Sequence, residues 1–427
     1  MDVRPVANSR RNLGGLDFFL FWAGVAISLA EIWAGGLLAP MGLWSGLSAI
    51  FLGHIVGNTL MALGGVIGSD HGIPSMVSVR PSFGIRGSNL AAALNIVQLI
   101  CWGSIMLIIG GRAGSMLGAP RGGVLASQHF WILCIGLGTL LWAFLTGSRI
   151  WKVMQAAAVA GLLLVLVLMS WKAYQELGIR ALAPPSPQGM PFMTGLDLVI
   201  AMPISWMPLV ADYSRFSRKS APAFWSTWWG YFLVSSWMYV LGLAATLVTG
   251  SSEPQMQPLE LMGGMGLAVP TLLLVVFSTI TSDFPDIYSA TCSMLNISGR
   301  VGANTVMSIA GVVSILVALV FPMERYENFL FLIGAMFVPL FGVVLTDYFL
   351  MRKRELDPEQ IYQRGGRYWY SHGFHPGALL AWAAGFATYQ AIEILSYPVG
   401  GSIPSMVVAG LVYFLATQWK KEGIAAS

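Results

Sequence analysis

Charged residues are scarce in this chain: Asp, Glu, Lys and Arg make up only 10% of its 427 residues. Soluble domains carry about 25% charged residues. Hydrophobic residues reach 56%, so the composition excludes an ordinary soluble protein. It predicts a chain that crosses a lipid bilayer several times.

Cysteine and histidine are also rare. The three cysteines all fall in apolar runs, which argues against a disulfide framework. The five histidines show neither the His-Glu-x-x-His spacing nor a Ser/His pair at matched depth that a membrane-embedded enzyme needs. Only His54 lies clearly within a span, where we expect a structural, hydrogen-bonded role. We therefore predict a transporter, without a cofactor, rather than an enzyme. No stretch is typical of a channel selectivity filter.

Long apolar runs are abundant. About 20 helical residues cross a hydrocarbon core of about 30 Å. Runs of that length, or nearly so, cover 17–39, 42–68, 89–117, 130–147, 153–171, 194–213, 222–249, 266–297, 302–321, 329–350, 377–396 and 403–419. They predict an all-α membrane protein with twelve transmembrane helices. The first run follows a polar segment and is long enough to span, so we expect no cleavable signal.

The basic residues predict the topology. With a cytoplasmic N-terminus, eighteen of the 23 Lys and Arg residues lie on the cytoplasmic side, and five lie outside: Arg112, Arg121, Lys172, Arg180 and Arg325. This excess follows the positive-inside rule. It predicts cytoplasmic tails at 1–16 and 420–427, a cytoplasmic loop at 351–376, and a place in the inner (plasma) membrane. Nucleic acid is not a predicted partner, and the lipid bilayer is.

Two similar segments suggest broken helices. Transporters often contain an inverted repeat whose first helices are broken at mid-membrane, where the substrate binds. "AISLAE" (26–31) in span 1 and "PISWMP" (203–208) in span 6 each begin a group of five spans. Pro203 and Pro208 leave two carbonyls without a helical donor, and a break there should face a cavity. A structural kink in span 6 is the alternative.

Span 8 carries a polar face. Ser278, Thr281 and Ser282 have the spacing that places three hydroxyls on one side of a helix. Hydroxyl oxygens suit a dehydrated monovalent cation, although such groups also bond their own helix or a neighbouring one. Asp283 and Asp286 follow, and ionisable groups inside a span are usually functional. We favour Asp283, because Asp286 is expected nearer the cytoplasmic end.

Span 3 predicts a surface for a planar ligand. Asn95, Gln98 and Trp102 lie on one helix face. An amide pairs with donors and acceptors of a heterocycle, and an indole offers a stacking face. Trp206, beside the prolines of span 6, is the expected opposite face, and Ser205 accompanies it. Packing, or a place in the interfacial belt of aromatic residues, is the alternative for the tryptophans.

Several longer segments resemble one family. The chain resembles the nucleobase:cation symporter family, in its cytosine-permease branch, and looks closest to hydroxymethylpyrimidine transporters. The segments that carry the resemblance are "EIWAGGLLAPMGL" (31–43), "GVIGSDHGIPSMVSVRPSFGIRGS" (65–88), "CWGS" in span 3, "LVADYSRFSRKS" (209–220), "ITSDFPDIYSATCSMLNISGR" (280–300) and "VVLTDYFLMRKR" (343–354). They extend over most of the chain.

The resemblance implies an architecture. It implies a five-plus-five inverted repeat of the leucine-transporter type, followed by two extra helices. On this chain the transport core would cover 17–350, with repeats at 17–171 and 194–350, and the extra helices would cover 377–419. It also implies uptake of a small planar heterocycle coupled to a cation, usually sodium. A proton is the alternative coupling ion, and a monomer would suffice.

The resemblance also implies site residues. The sodium ligands would be the backbone carbonyls of Val25 and Ser28 together with the three span 8 hydroxyls named above. The stacking tryptophan of span 3 would be Trp102. A second stacking aromatic of some relatives falls on Pro203 here, with Trp206 almost one turn later.

Glu31 is the unexpected carboxylate of span 1, three residues after Ser28. We predict that it accepts a hydrogen bond from the exocyclic amine of an aminopyrimidine. It could instead carry the coupled proton, or bond exposed amides of the broken helix. The favoured function is sodium-coupled import of hydroxymethylpyrimidine, a thiamin precursor, by alternating access. Cytosine, other nucleobases, hydantoins and allantoin are the alternative substrates.

Overall fold

The computed structural model describes residues 3–144, 149–176, 189–250, 284–395, 397 and 399–425, together with 269, 272, 273, 275, 276, 279 and 280. Within these residues the regular structure is helical, apart from two isolated bridges, Leu13–Ser217 and Ser371–Phe374. The predicted all-α class is confirmed.

Fifteen α-helices of the described residues carry labels here. They are α1 (Gly15–Ala26), α2 (Leu29–Gly36), α3 (Leu43–His71), α4 (Ser75–Ser78), α5 (Arg80–Phe83), α6 (Ile85–Gly118), α7 (Gln128–Phe144), α8 (Arg149–Glu176), α9 (Phe192–Ser214), α10 (Ser220–Thr249), α11 (Phe284–Ile297), α12 (Ala303–Ala318), α13 (Tyr326–Leu345), α14 (Pro376–Ile394) and α15 (Ser402–Ala425).

The described helices fit a multi-pass membrane protein. Five of them, α3, α6, α9, α10 and α13 with its continuation to Met351, are long and apolar enough to cross a bilayer. The bent pair that α1 forms with Leu29–Met41 adds a sixth. Four shorter apolar helices cover Gln128–Phe144, Leu163–Gln175, Ala303–Ala318 and Ser402–Gln418. The count of twelve spans and the inverted repeat stay predictions.

The first span is broken where the sequence predicts it. The chain turns by 59° between Gly15–Ala26 and Leu29–Met41. Ser28 has an extended backbone and caps α2, since its hydroxyl oxygen accepts a hydrogen bond from the Ala30 amide at 3.2 Å. The break therefore exposes helix-terminal polar groups inside a span, beside the site described below.

The predicted break in span 6 is wrong. Helix α9 continues through both Pro203 and Pro208. Two neighbouring helices support it. Gln98 of α6 donates its amide to the Ser205 carbonyl at 2.7 Å. On the other side, a Cβ added to Gly57 of α3 would lie 2.9 Å from the Pro203 ring. Close packing and a side-chain donor thus hold a helix whose own hydrogen-bond ladder is interrupted.

The packing order places the site at the centre. Helix α10 packs against α1, α2 and α3, and α3 packs in turn against α9. Helix α6 packs against α7, α11 and α12, while α14 and α15 pack on each other and on α13. The broken span therefore lies between α10 on one side and α6 and α9 on the other.

Candidate functional site

A cavity of about 40 Å³ lies beside the break in span 1. Residues from α1, α2, α6, α9 and α11 line it: Val25, Ser28, Ala30, Glu31, Trp102, Met106, Met202, Trp206 and Asp286. Five of these are predicted site residues, and they come from three separate segments of the sequence: Val25, Ser28 and Glu31 from span 1, Trp102 from span 3 and Trp206 from span 6. A space of this size holds a few water molecules, so a heterocycle requires the walls to move apart.

Trp102 offers an unused hydrogen-bond donor. Its side chain is only 8% exposed. The ring contacts Phe329 and Tyr326 edge-on, with centroid separations of 5.4 and 6.0 Å. Its indole N–H has no acceptor among the residues that the structure describes. Because a buried donor without an acceptor costs about 1–3 kcal/mol, a ligand with a ring nitrogen or carbonyl would satisfy it.

Trp206 is held by a neighbour instead. Its indole N–H donates to the Tyr231 hydroxyl at 2.9 Å. The ring also packs edge-on against Trp22, with centroids 5.9 Å apart. Trp206 therefore presents a fixed ring to the cavity, and its polar edge is already engaged by α10.

Gln98 and Ser205 are not among the residues that line the cavity. The Gln98 amide nitrogen bonds the Ser205 carbonyl, and the Ser205 hydroxyl donates to the Met202 carbonyl at 2.6 Å. The Gln98 carbonyl oxygen is buried and has no partner in the described part of the chain. These contacts support α9, and a direct contact of either residue with substrate stays a prediction.

Glu31 is 2% exposed, and both of its carboxylate oxygens are engaged by α10. The Tyr231 hydroxyl donates to Oε1 at 2.5 Å. The Ser235 hydroxyl bonds Oε2. The carboxylate oxygens bond hydroxyls of α10 rather than amides of the broken helix, and the Ala30 amide is bonded by Ser28 instead. The carboxylate joins the broken span to α10 and lines the cavity with its remaining surface.

The predicted cation ligands are described only in part. Val25 and Ser28 both line the cavity at the end of α1. The Ser28 carbonyl accepts hydrogen bonds from the amides of Glu31 and Ile32 at 3.2 and 3.4 Å. The span 8 residues Ser278, Thr281, Ser282 and Asp283 lie outside the described residues. A sodium site between spans 1 and 8 stays a prediction.

Sequence reasoning did not place four residues in the site, although the hydrogen-bonded role expected of His54 is confirmed. Asp286, expected nearer the cytoplasmic end, lines the cavity and is 8% exposed. Tyr231 and Ser235 hold Glu31, and His54 bonds Ser235 from α3. The i, i+4 spacing of Tyr231 and Ser235 was the available signal, since it places two hydroxyls on one face of span 7.

Comparison with known sequences gives a family. A family model described as "Permease for cytosine/purines, uracil, thiamine, allantoin" matches residues 5–414. The cytosine permease of Escherichia coli K12 is 25% identical over 295 residues, which is 67% of this chain and 66% of that permease. The match thus spans slightly less than two thirds of that relative's length. The hydantoin permease of Microbacterium maritypicum is 25% identical over 382 residues, covering 82% of this chain and 74% of that protein.

Comparison with solved structures gives the fold. An inward-facing structure of Mhp1 superimposes with a TM-score of 0.85 at 21% identity, covering 98% of this chain and 93% of that one. A closed structure of Mhp1 with bromovinylhydantoin bound, described as a nucleobase-cation-symport-1 family transporter, gives 0.84 at 22% identity, covering 98% and 94%. The family model and these structures agree with the prediction of a transporter rather than an enzyme.

Proposed function

Because this chain belongs to the family of permeases for cytosine and purines, uracil, thiamine and allantoin, we propose that it is a secondary active importer of a small planar pyrimidine. Hydroxymethylpyrimidine is the favoured substrate, and sodium is the proposed coupling ion. The importer would work by alternating access in the inner (plasma) membrane, with both termini cytoplasmic.

One observation carries this proposal: the cavity at the break of span 1 joins Trp102 with Glu31. An aminopyrimidine has a flat face, ring nitrogens that accept and an exocyclic amine that donates. Trp102 offers an aromatic face and a buried N–H without a partner among the described residues. Each oxygen of Glu31 can accept a second hydrogen bond beyond those from Tyr231 and Ser235. The chemistry of the walls therefore complements such a ring.

The proposal of sodium coupling rests on two backbone carbonyls at the break of span 1. Val25 and Ser28, whose backbone carbonyls are the proposed ligands, line the cavity at the end of α1. With the span 8 hydroxyls they would form an oxygen site that favours the outward-open arrangement. The membrane potential would contribute about 2.3 kcal/mol per charge per 100 mV. A proton is the alternative coupling ion.

The alternative substrates follow from the relatives. Those compared above are named for cytosine and for hydantoin, and both are small planar heterocycles with donors and acceptors on their edges. The same cavity chemistry could serve either. Substrate identity is therefore decided by comparing the uptake of several compounds rather than by uptake of one of them.

The test is uptake by the purified protein in liposomes. Labelled hydroxymethylpyrimidine and cytosine are supplied with an inward sodium gradient, or with potassium in its place. We expect sodium-driven accumulation of hydroxymethylpyrimidine, stronger than that of cytosine, and its loss in Glu31→Ala and Thr281→Ala. Equal uptake in potassium would contradict sodium coupling. Uptake of neither compound by a folded protein would contradict the pyrimidine assignment.

A further inference from the structure

A chain of hydrogen bonds runs from Glu31 to α3 without involving the cavity's other walls. The Nδ1 atom of His54 lies 2.8 Å from the Ile50 carbonyl oxygen, and Nε2 lies 2.6 Å from the Ser235 hydroxyl oxygen. Ser235 also bonds Glu31. His54 and Ser235 are fully buried, and Glu31 nearly so. Three helices thus bring an imidazole, a hydroxyl and a carboxyl group together away from bulk water.

The hydrogen bonds that link His54, Ser235 and Glu31 determine how many protons these three residues must hold. A carbonyl oxygen only accepts, so Nδ1 of His54 carries a proton. The Ser235 hydroxyl has one proton and stands between two groups, Nε2 of His54 and the Glu31 carboxylate. If the imidazole were neutral and Glu31 ionised, both would need that single proton, and one of the two contacts would place two acceptors together.

One additional proton resolves the conflict. With the proton on Nε2, a cationic His54 donates to Ser235, and Ser235 donates to an ionised Glu31. With the proton on Glu31, the acid donates to Ser235, and Ser235 donates to a neutral imidazole. Either arrangement forms both hydrogen bonds and has no net charge. We infer that His54, Ser235 and Glu31 form a buried proton-binding site that holds this one additional proton.

The two arrangements interconvert by the transfer of two protons, which conserves the number of protons and the net charge. As the Glu31 carboxyl proton passes to the Ser235 oxygen, the Ser235 proton passes to Nε2 of His54. No bond other than O–H and N–H changes, and the number of protons is conserved. Loss of the additional proton would leave a net negative charge at a buried position, which is costly inside a membrane. The site should therefore be occupied at neutral pH.

Other titratable groups surround the three residues that bind this proton. From α10, Tyr231 donates to Glu31, and Tyr239 lies edge-on to the His54 ring at 5.0 Å. From α13, the Tyr326 hydroxyl donates to the Ala30 carbonyl at 3.2 Å. From α11, Asp286 lines the same cavity.

Over the described residues, no lysine or arginine forms an ion pair with Glu31. Its carboxylate oxygens bond to α10 and not to Val25 or Ser28. When no sodium ion is bound in the cavity, the compensating positive charge for an ionised Glu31 is, among the described residues, the His54 imidazolium.

The position of this proton would change the hydrogen-bonding properties of the cavity wall. Glu31 lines it, and Tyr231 links Glu31 to the indole of Trp206. When Glu31 holds the proton, its oxygens accept weakly, and when His54 holds it, the carboxylate accepts strongly. A shift of one proton between two buried residues would thus change what the cavity offers to a substrate amine. This link to transport, unlike the site itself, rests on the proposed function.

Spectroscopy of the purified full-length protein tests the site without any substrate. In sodium-free potassium buffer at neutral pH, infrared spectra report the carboxylic-acid C=O band of Glu31, assigned by its loss in Glu31→Gln. Nitrogen-15 NMR of labelled histidine reports the charge of His54, assigned with His54→Gln. We expect the acid fraction of Glu31 and the cationic fraction of His54 to sum to one proton. An ionised Glu31 together with a neutral His54 would overturn the inference.

A neighbouring serine supplies the matched control. Ser235→Ala should uncouple the two groups, so that the sum departs from one proton. Ser236→Ala removes an equally small buried hydroxyl, one without a partner among the described residues, and should leave the sum unchanged. A wild-type sum in Ser235→Ala would overturn the bridging role of Ser235.

The link to transport has its own readout. If the liposomes accumulate a pyrimidine, Ser235→Ala should shift the pH profile of uptake, whereas Ser236→Ala should not. An unshifted profile in Ser235→Ala would overturn the link. Absence of uptake in the wild type would count against the proposed function, while the spectroscopic result would still decide the proton site.

Discussion

The indole nitrogen of Trp102 is a single atom on which substrate affinity should depend. Trp102→Phe keeps an aromatic face but removes the N–H that lacks a partner among the described residues. Loss of one hydrogen bond, worth about 0.5–1.5 kcal/mol, should raise the KM of uptake by roughly two- to twelvefold, with kcat little changed. Trp171→Phe is the control, since Trp171 is 59% exposed on α8. An unchanged KM in Trp102→Phe would remove this donor from substrate recognition.

At the residue scale, the sequence identified the functional side chains that are chemically unusual for a membrane span. A carboxylate and an amide-flanked tryptophan stand out among apolar neighbours, and Glu31 and Trp102 do meet in one cavity. The spacing of Tyr231 and Ser235 shows two hydroxyls on one face of span 7, but it does not show that this face meets Glu31. His54 is separated from Ser235 by 181 residues, and only tertiary packing brings them together.

Helix α2 is held by backbone contact with α10. A Cβ on Gly35 would overlap the Tyr239 carbonyl, and a Cβ on Gly242 would overlap the Ile32 carbonyl. The two helices therefore approach each other through small residues on both sides, as is common in membranes. This close approach fixes the position of Glu31 against its two hydroxyl partners.

Gly35→Ala should destabilise the broken span. Backbone atoms cannot rotate away as a side chain does, so the helices must separate, at a cost of about 1–3 kcal/mol. We expect a lower Tm in detergent and weaker uptake. Gly24→Ala, in the other half of the same span, is the control, because its added Cβ would meet nothing within 4 Å. Equal Tm values for the two variants would show that this approach does not constrain α2.

At the element scale, the same kind of reasoning succeeded in span 1 and failed in span 6. Span 1 contains no proline at its break, yet it bends by 59° where Ser28 caps α2. Span 6 contains two prolines and continues as one helix. Proline removes a donor from the ladder, yet the helix continues here beside a Gln98 hydrogen bond to the Ser205 carbonyl and close packing of Gly57 on Pro203. Those contacts are long-range and cannot be read from the local pattern.

Across the whole molecule, a buried ion pair fastens the loop at 351–376 to the helices. Asp347 accepts hydrogen bonds from Arg352 at 2.7 Å, from Tyr413 of α15 at 2.8 Å and from Ser82 of α5 at 2.9 Å. Burial would lower the pKa of Arg352, but the adjacent Asp347 carboxylate outweighs it, and the pKa is raised. The guanidinium therefore stays charged.

Tyr370 completes this arrangement. Its hydroxyl accepts a hydrogen bond from Arg352 at 2.9 Å and donates to the Pro81 carbonyl at 2.5 Å. Burial raises the pKa of Tyr370 to about 12, even though Arg352 acts in the opposite direction. The hydroxyl thus keeps its proton at physiological pH. The positive-inside count treated these arginines as topology signals alone, whereas Arg352 also joins α5 and the loop through fixed partners.

Asp347→Asn should therefore loosen the whole end of the molecule that carries the loop at 351–376, rather than one helix. It leaves the Arg352 charge partly buried without its counter-ion. Removing one partner of a fully buried ion pair lowers the free energy of unfolding by about 3–5 kcal/mol. The loss should be smaller here, because Arg352 retains 16% exposure. We expect a clearly lower Tm in detergent and faster proteolysis within 351–376. Glu355→Gln, an exposed carboxylate of the same loop, should change neither. If both variants have the same Tm as the wild type, the loop is held by packing of its aromatic residues and not by this charge.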